Sequence, residues 1–396
     1  MEHVFEFEQR ALRENVELLD DSSLANLRRY KYSSVDLSPT SKYILNPFWT
    51  WVAGFMPPWL APNMITLIGI SAIVSNLLLV QIYISDFESQ APMWVYFWFA
   101  FSLLFYQTMD NVDGKQARKT GTSSPLGELF DHGIDSLNCC WAGVVTSASM
   151  GLGLTWYSAV NAMATCVAMY FSTWETYYTH TLFLGFLNGP TEGLLVVVVI
   201  HIVTGIYGPQ IWNNEIFGVG LKPLYGVIVI LSVTVAHVPA CLGNVKAALA
   251  ERKELDRLPM AFRTTMPIVA MVASVALWLS SPVSSVLDNN HLFLYTMAVS
   301  FTFARVTTSI ILSHLCFQSF PVRSFSVMWV YLGGFVYGIL GRLGINMNYF
   351  VPEYAYLWLW FIFAFGYFMC YANMVIDKLC SYLGIRAYTI GPRLTT

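Results

Sequence analysis

Four aspartates in one short stretch are the residues whose types and spacing best fit chemistry. Asp110 and Asp113 lie three positions apart, and Asp131 and Asp135 lie four apart. Either spacing places both side chains on one helix face, so two antiparallel helices would bring all four carboxylates together. Such charges repel each other unless a cation lies among them, and oxygen ligands favour magnesium, manganese or calcium. We therefore predict a divalent-metal site.

Small residues and positive charges separate the two pairs of aspartates. Gly114, Ala117 and Gly127 would let a flat base or a phosphate approach the backbone, and Arg118 can make a forked contact with phosphate. Lys115 adds a further positive charge. A glycine and an arginine near a turn usually indicate only a loop, but beside four acids they indicate a diphosphate bridged to metal.

The composition indicates that the elements positioning these groups cross a membrane. Of 396 residues, 56% are hydrophobic and only 11% are charged, which is too few to cover a water-soluble domain. The aromatic content of 16% excludes a disordered chain, and a formal net charge of −3 disfavours nucleic-acid binding. The seven cysteines form no CxxC pair, so we interpret them as small buried hydrophobic residues.

Apolar stretches of spanning length predict an all-α integral membrane protein with about ten transmembrane helices. A spanning helix needs about 20 predominantly apolar residues. The predicted spans cover residues 63–84, 93–109, 131–152, 156–177, 193–212, 224–242, 265–281, 292–315, 326–343 and 354–374.

The positive charges indicate which side of the membrane holds the aspartates. Lysines and arginines concentrate before residue 45, between the second and third spans, between the sixth and seventh, and after the tenth. Because these residues favour cytoplasmic loops, both termini and the aspartates should face the cytoplasm. Residues 46–61 are aromatic but broken by prolines, so they predict an interfacial amphipathic helix.

The aspartate-rich segment also matches a known family. From Asp110 to Asp135 it fits D-x2-D-G-x2-A-R-x8-G-x3-D-x3-D with every spacing kept, and so it resembles the CDP-alcohol phosphotransferase signature. Eight fixed positions over 26 residues make this motif specific. Other segments resemble the eukaryotic choline and ethanolamine phosphotransferases, above all the fungal and plant members: RYKYSSVD, PNMIT, SSPLGELFDHGIDS, STWETYYTHTL and NGPTEGL.

The resemblance implies an activity and a division of the chain. It implies transfer of phosphocholine from CDP-choline to diacylglycerol, with CMP released and CDP-ethanolamine as a second donor, by a homodimer in the endoplasmic reticulum or the Golgi. An ethanolamine-specific phosphotransferase that makes phosphatidylethanolamine is the alternative. We accordingly expect a cytoplasmic arm (1–45), the interfacial helix (46–61), a six-helix catalytic core (62–245), a cytoplasmic loop (246–264), four additional spans (265–376) and a cytoplasmic tail (377–396).

The resemblance also implies roles for single residues. The four aspartates would hold a pair of magnesium or manganese ions. The residues expected to bind the CDP-alcohol are Asn63, Asp113, Gly114, Lys115, Ala117, Arg118 and Gly127.

The acceptor's proton needs a base, and two candidates remain open. In the wider family the last aspartate, here Asp135, has that role. Alternatively, Glu128 and His132 lie at i and i+4 and could form a dyad in which the carboxylate orients the imidazole. We favour His132, because histidine titrates near neutral pH.

The headgroup site is less clear from the sequence. A quaternary ammonium is held best by aromatic faces and a carboxylate, which Trp174, Glu175, Tyr177, Tyr178 and Glu192 would supply. An interfacial aromatic belt explains the same aromatic residues.

Two other function classes stay open at this point. One is a CDP-diacylglycerol enzyme that transfers to a soluble alcohol, since the same signature serves both directions of lipid attachment. The other is a cation transporter, although its acids should recur at mid-membrane depth in several spans.

Overall fold

A computed structural model describes residues 21–30, 32–185, 189–322 and 324–391. The first 20 residues of the predicted arm and the last five of the predicted tail lie outside these ranges. The helices are α1 (Asp21–Leu27), α2 (Asn46–Phe55), α3 (Pro62–Tyr83), α4 (Met93–Thr120), α5 (Pro125–Ser149), α6 (Trp156–Thr179), α7 (Gly189–Tyr207), α8 (Leu221–Glu251), α9 (Leu255–Leu279), α10 (Leu292–Leu315), α11 (325–342) and α12 (Glu353–Leu383). The strands are β1 (Ser34–Asp36), β2 (Leu182–Leu184), β3 (Glu215–Ile216) and β4 (Val219–Gly220).

Each helix from α3 to α12 overlaps in residue range with one predicted span. Over the described ranges, five of them are long and apolar enough to cross a membrane: α3, α8, α9, α10 and α12. These findings confirm the predicted all-α integral membrane class, while the count of about ten spans stays a prediction.

The largest departure from the predicted bounds is at the first pair of aspartates. α4 continues to Thr120 and α5 already begins at Pro125, so both aspartate pairs lie on regular helix. Hydropathy missed these turns because their Asp, Asn, Gln, Lys and Arg side chains are polar, although several of these residues are good helix formers.

A short turn, 121–124, joins α4 to α5 and determines how the two aspartate pairs meet. Gly121 ends α4 in the left-handed region at φ 67°, where glycine carries no Cβ penalty. Ser124 caps α5, since its Oγ accepts a hydrogen bond from the Gly127 amide at 3.3 Å. Pro125 follows in the first turn, where its missing N–H is not needed. The chain therefore reverses direction within four residues.

α10 holds the two halves of the molecule together. It is buried along nearly its whole length and packs against α5, α6 and α12. Two hydrogen bonds cross to α5, from Thr307 Oγ1 to Ser136 Oγ at 2.7 Å and from Trp141 Nε1 to Ser300 Oγ at 3.0 Å. The predicted catalytic core and the additional helices consequently share one hydrophobic core.

Helix α2 begins where the interfacial helix was predicted and stops at Phe55, just before two prolines. Trp49 and Ala53 pack against α4, whereas Trp51 and Phe55 are exposed. One side of α2 is thus fixed to the protein, and its opposite aromatic side is open to lipid. Its position in the interface stays a prediction.

The described part of the N-terminal arm packs beside the start of α5. β1 pairs in parallel with β2, with Ser34 opposite Leu182. In α1, Leu24 and Leu27 belong to a hydrophobic cluster that includes Leu126 of α5. The arm is therefore anchored beside the aspartates, although it follows no spanning helix in the sequence.

Candidate active site

Three of the four predicted aspartates converge at one point. Asp110 comes from α4, and Asp131 and Asp135 come from successive turns of α5. Each offers a carboxylate oxygen, and these oxygens all lie within 4.8 Å of one another. At that spacing each pair of charges repels by roughly 3 kcal/mol at an effective dielectric constant of about 20.

The cluster has the properties of a cation site. Oδ1 of Asp110 and Oδ1 of Asp131 are buried and have no hydrogen-bond partner. An unpaired buried carboxylate oxygen is costly, and a divalent cation would satisfy both oxygens and remove the repulsion. The set consists of hard oxygen donors, so the residues fit magnesium, manganese or calcium.

Other side chains hold the remaining carboxylate oxygens in place. Tyr106 donates a hydrogen bond to Oδ1 of Asp135 at 2.6 Å. Asp113 lies outside the group of three, and its Oδ2 accepts a hydrogen bond from Thr66 of α3. Neither Thr66 nor Tyr106 was predicted, because both bonds link residues that are distant in the sequence. Thr66 does lie in the PNMIT segment, which was the available signal.

Two side chains, Lys115 and Arg118, were predicted to bind phosphate. In the structure Lys115 is hydrogen-bonded to other residues, whereas Arg118 is exposed. Lys115 Nζ donates to Asn46 Oδ1 and, at 3.0 Å, to Thr50 Oγ1, and so ties α4 to α2. Arg118 is exposed on the last turn of α4. A Cβ on Gly114 would lie 3.6 Å from the Arg118 guanidinium. Arg118 is therefore the cation better placed for a diphosphate.

Gly127 and Asn63 lie side by side at the start of α5 and α3. A Cβ on Gly127 would meet Asn63 Oδ1 at 3.9 Å, which is ordinary contact. The protein itself therefore leaves room for a side chain at Gly127, and the space remains open for a ligand. Asn63 Nδ2 donates to the carbonyl of Ala387 at 3.0 Å, so the tail borders the site.

The structure holds the His132 ring in a way that the sequence did not predict. His132 Nδ1 lies 3.0 Å from the backbone carbonyl of Glu128, rather than bonding to the Glu128 carboxylate. Because a carbonyl only accepts, Nδ1 carries a hydrogen, and in the neutral ring Nε2 is then the nitrogen with the lone pair. The carboxylate of Glu128 instead accepts a hydrogen bond from Tyr30 at 2.8 Å.

The aromatic residues considered for the headgroup are engaged in packing. Trp174 is 1% exposed and donates to Thr264 Oγ1 at 2.8 Å. Tyr177 donates to the Gln318 carbonyl at 2.7 Å, and Glu175 accepts from Asn244 at 2.7 Å. These side chains stabilise contacts of α6 with α8, with α9 and with the loop that follows α10.

Glu192, the last headgroup candidate, lies in the first turn of α7. Its Oε1 accepts a hydrogen bond from Ser38 of the N-terminal arm, and its Oε2 is buried without a partner. The structure therefore does not bring Glu192 together with the α6 candidates.

The fold and the site define a class of protein. It is a helical membrane protein in which carboxylates that could hold a metal lie beside an exposed arginine. The CDP-alcohol phosphatidyltransferase family model matches residues 59–236, which include the four aspartates, Arg118 and His132. The chain belongs to this family of enzymes.

Several full-length relatives have the same organisation. The chain is 34% identical to choline/ethanolaminephosphotransferase 1 of Saccharomyces cerevisiae, covering 93% of this chain and 97% of the relative. It is equally similar, 34% with the same coverage, to choline/ethanolaminephosphotransferase 1 of Arabidopsis thaliana. Cholinephosphotransferase 1 of S. cerevisiae is 34% identical over 78% of this chain and 81% of its own length.

Proposed function

We propose that this enzyme transfers phosphocholine from CDP-choline to diacylglycerol, giving phosphatidylcholine and CMP, and that it also accepts CDP-ethanolamine. The observation that carries the proposal is the pair of unpartnered oxygens on Asp110 and Asp131, within 4.8 Å of Asp135. The names of the similar proteins support the choice of substrates.

The CDP-alcohol binds at the cytoplasmic ends of α4 and α5 in this proposal. Asp110, Asp113, Asp131 and Asp135 would hold a pair of magnesium or manganese ions, whose positive charge would stabilise the negative charge that develops on the leaving phosphate. Arg118 contacts the diphosphate through its guanidinium. Residues without bulky side chains, together with Asn63, leave space for the nucleotide: Gly114, Ala117 and Gly127.

His132 is the general base in the proposed mechanism, and the geometry favours it over Asp135. The Nε2 lone pair of His132 is available because Nδ1 donates to the Glu128 carbonyl. Asp135 belongs to the metal cluster and already accepts from Tyr106. A carboxylate that binds metal is a weaker base than a free one, so Asp135 suits a ligand better.

The transfer is a single displacement at the phosphorus nearer the choline. The diacylglycerol hydroxyl oxygen forms a bond to that phosphorus while its proton passes to His132 Nε2. The bond from this phosphorus to the bridging oxygen breaks, and CMP leaves with the electron pair. Arg118 stabilises the departing phosphate from the cytoplasmic side.

The two substrates reach the site from different phases. Diacylglycerol is apolar apart from one hydroxyl, so it enters sideways from the bilayer near α2. The charged CDP-alcohol arrives from the cytoplasm beside Arg118. We place the enzyme in the membrane of the endoplasmic reticulum or the Golgi, with the site facing the cytoplasm, and expect a homodimer.

Release of CMP by purified protein tests the proposal. We expect magnesium-dependent CMP release from CDP-choline with diacylglycerol, and slower release from CDP-ethanolamine. A preference for CDP-ethanolamine would reverse the headgroup choice and leave the metal site unaffected. Activity only with CDP-diacylglycerol and a soluble alcohol would contradict the proposed substrates, and a pure cation transporter would release no CMP.

A further inference from the structure

The N-terminal arm approaches the active site at Tyr30, in a connection that follows α1. Two neighbouring contacts fix this point of the chain. Asn26 Nδ2 donates to the Cys316 carbonyl at 3.0 Å, and β1 begins at Ser34 and pairs with β2. Tyr30 thus lies between two anchored segments, and its side chain has a defined direction.

The Tyr30 side chain makes two contacts with buried polar residues. Its hydroxyl donates to Oε1 of Glu128 at 2.8 Å. The edge of its ring meets the His314 ring, with centroids 5.4 Å apart and planes at 86°. Burial and the Glu128 carboxylate raise the pKa of the Tyr30 hydroxyl, so it remains a neutral hydrogen-bond donor.

Glu128 depends on that donor. Its second oxygen, Oε2, is buried and has no hydrogen-bond partner. Within the described ranges, the hydroxyl of Tyr30 is therefore the group that holds this carboxylate by a hydrogen bond. The same residue holds the His132 ring through its backbone carbonyl, one helical turn before the metal ligands.

We propose that Tyr30 is a positioning residue, which acts through Glu128 and makes the N-terminal arm part of the active site. This inference rests on the proposed transferase function. Without the hydroxyl, the carboxylate loses its donor and turns away from its position beside His132. The reaction then slows, although the CDP-alcohol site on α4 stays intact. The packing of the ring against His314 does not depend on the hydroxyl, so the two contacts can be separated.

Tyr30→Phe in the full-length purified enzyme tests this role. We expect kcat for CMP release to fall by about tenfold to a hundredfold, as for loss of an active-site hydrogen bond, with KM for CDP-choline within about twofold. Tyr43→Phe is the matched control, because Tyr43 lies on the same arm, is 71% exposed and makes no hydrogen bond through its hydroxyl. The control should leave both constants unchanged.

A double-mutant cycle with Glu128→Gln separates positioning from a purely structural role. If Tyr30 acts through Glu128, Tyr30→Phe should have less than about a twofold effect on kcat once Glu128 is replaced. If the activity of Glu128→Gln is too low to measure, the kcat and KM of Tyr30→Phe alone test the positioning role. Unchanged kcat in Tyr30→Phe, or equal losses in both backgrounds, would overturn the proposal. A wild-type enzyme that releases no CMP would instead reject the transferase function on which the proposal rests.

Discussion

Glu353 at the start of α12 and the aspartates of α4 and α5 have opposite hydrogen-bonding environments. At the start of α12, Glu353 is 2% exposed and its carboxylate accepts four hydrogen bonds. The donors are Trp278 Nε1 at 2.6 Å, Ser284 Oγ at 2.8 Å, and the amide and hydroxyl of Ser285 at 2.7 and 2.8 Å. Both oxygens are satisfied by the protein itself.

Where α4 and α5 meet, the acids lie close together, but not all of their oxygens have a hydrogen-bond partner. Asp110 and Asp131 each keep a buried oxygen without a partner, and Asp135 lies within 4.8 Å of both. Four hydrogen-bond donors surround the Glu353 carboxylate, so this protein can provide partners for a buried carboxylate. Single unpartnered oxygens also occur on Glu128 and Glu192, but at α4 and α5 they lie in a cluster of three carboxylates. That cluster fits a cation site, whereas Glu353 has a structural role.

Arg305, a buried positive charge in the C-terminal region, is only partly paired, because its Nε is buried and has no hydrogen-bond partner in the described ranges. Arg305 of α10 is 3% exposed, and its guanidinium lies 3.4 Å from the centroid of the Tyr371 ring. It also donates to Ser309. No carboxylate in the described ranges lies within ion-pair distance of Arg305. The aromatic face and the hydroxyl stabilise the charge, so we assign Arg305 to packing between α10 and α12.

The largest expected effect follows from changing Asp131→Asn. Asparagine keeps the shape but removes the charge that holds the cation, so CMP release should fall by at least about 10⁴-fold, to background. The protein should still extract from membranes as a folded species. The exposed Asp256→Asn serves as the control and should be fully active. Near wild-type activity of Asp131→Asn at low magnesium would show that the metal site is wrongly assigned.

A smaller loss is expected from His132→Ala, which removes the proposed base. The rate should fall by about 10² to 10⁴-fold, while metal and CDP-choline binding remain largely intact. Asp135→Asn should instead raise the magnesium concentration needed for half-maximal rate. Magnesium titrations of both variants distinguish the two roles. The assignment fails if His132→Ala shows only the metal defect, or no defect.

Glu353→Gln should affect stability and not chemistry. Loss of charge-assisted hydrogen bonds at this buried group should lower the free energy of unfolding by about 1 to 3 kcal/mol, seen as a lower Tm in detergent. The activity per folded molecule should not change. Glu215→Gln, at an exposed position, is the control for the loss of one charge. A fall in kcat without a change in Tm would show that Glu353 contributes to catalysis. Its role would then not differ from that of the aspartates of α4 and α5.

The smallest effect is expected from changing two exposed tryptophans, one in α2 and one between α2 and α3. Trp51 and Trp59 are 62% and 73% exposed. Replacing both with alanine should raise the apparent KM for diacylglycerol by about threefold and leave that for CDP-choline nearly unchanged. Trp358→Ala, on an exposed face of α12, is the control. Equal changes for both substrates would leave only a membrane-anchor role for these tryptophans.

The sequence predicted the helices well because apolar length and aspartate spacing are local properties. It placed the acids on facing helices and identified the family from one motif. It did not predict that Asp113 bonds to Thr66, or that Lys115 binds α2 instead of facing the solvent. These contacts join elements that are distant in the chain, and no periodic pattern specifies them.

The arm shows the same limit more clearly. Tyr30 and Glu128 are 98 positions apart, and their hydrogen bond exists only because α1 and β1 anchor the arm near α5. The headgroup candidates on α6 illustrate the opposite error. Aromatic residues beside an acid matched a cation site in composition, but Trp174 is buried in packing.

Manganese binding to the purified protein, followed by electron paramagnetic resonance, tests the central claim most directly, because it requires no turnover. The account predicts that the wild-type protein and Glu353→Gln bind manganese equally in the presence of CDP-choline. It predicts that Asp131→Asn, although folded, loses that binding. Undiminished manganese binding by Asp131→Asn would contradict the claim that the unpartnered oxygens of α4 and α5 form the metal site.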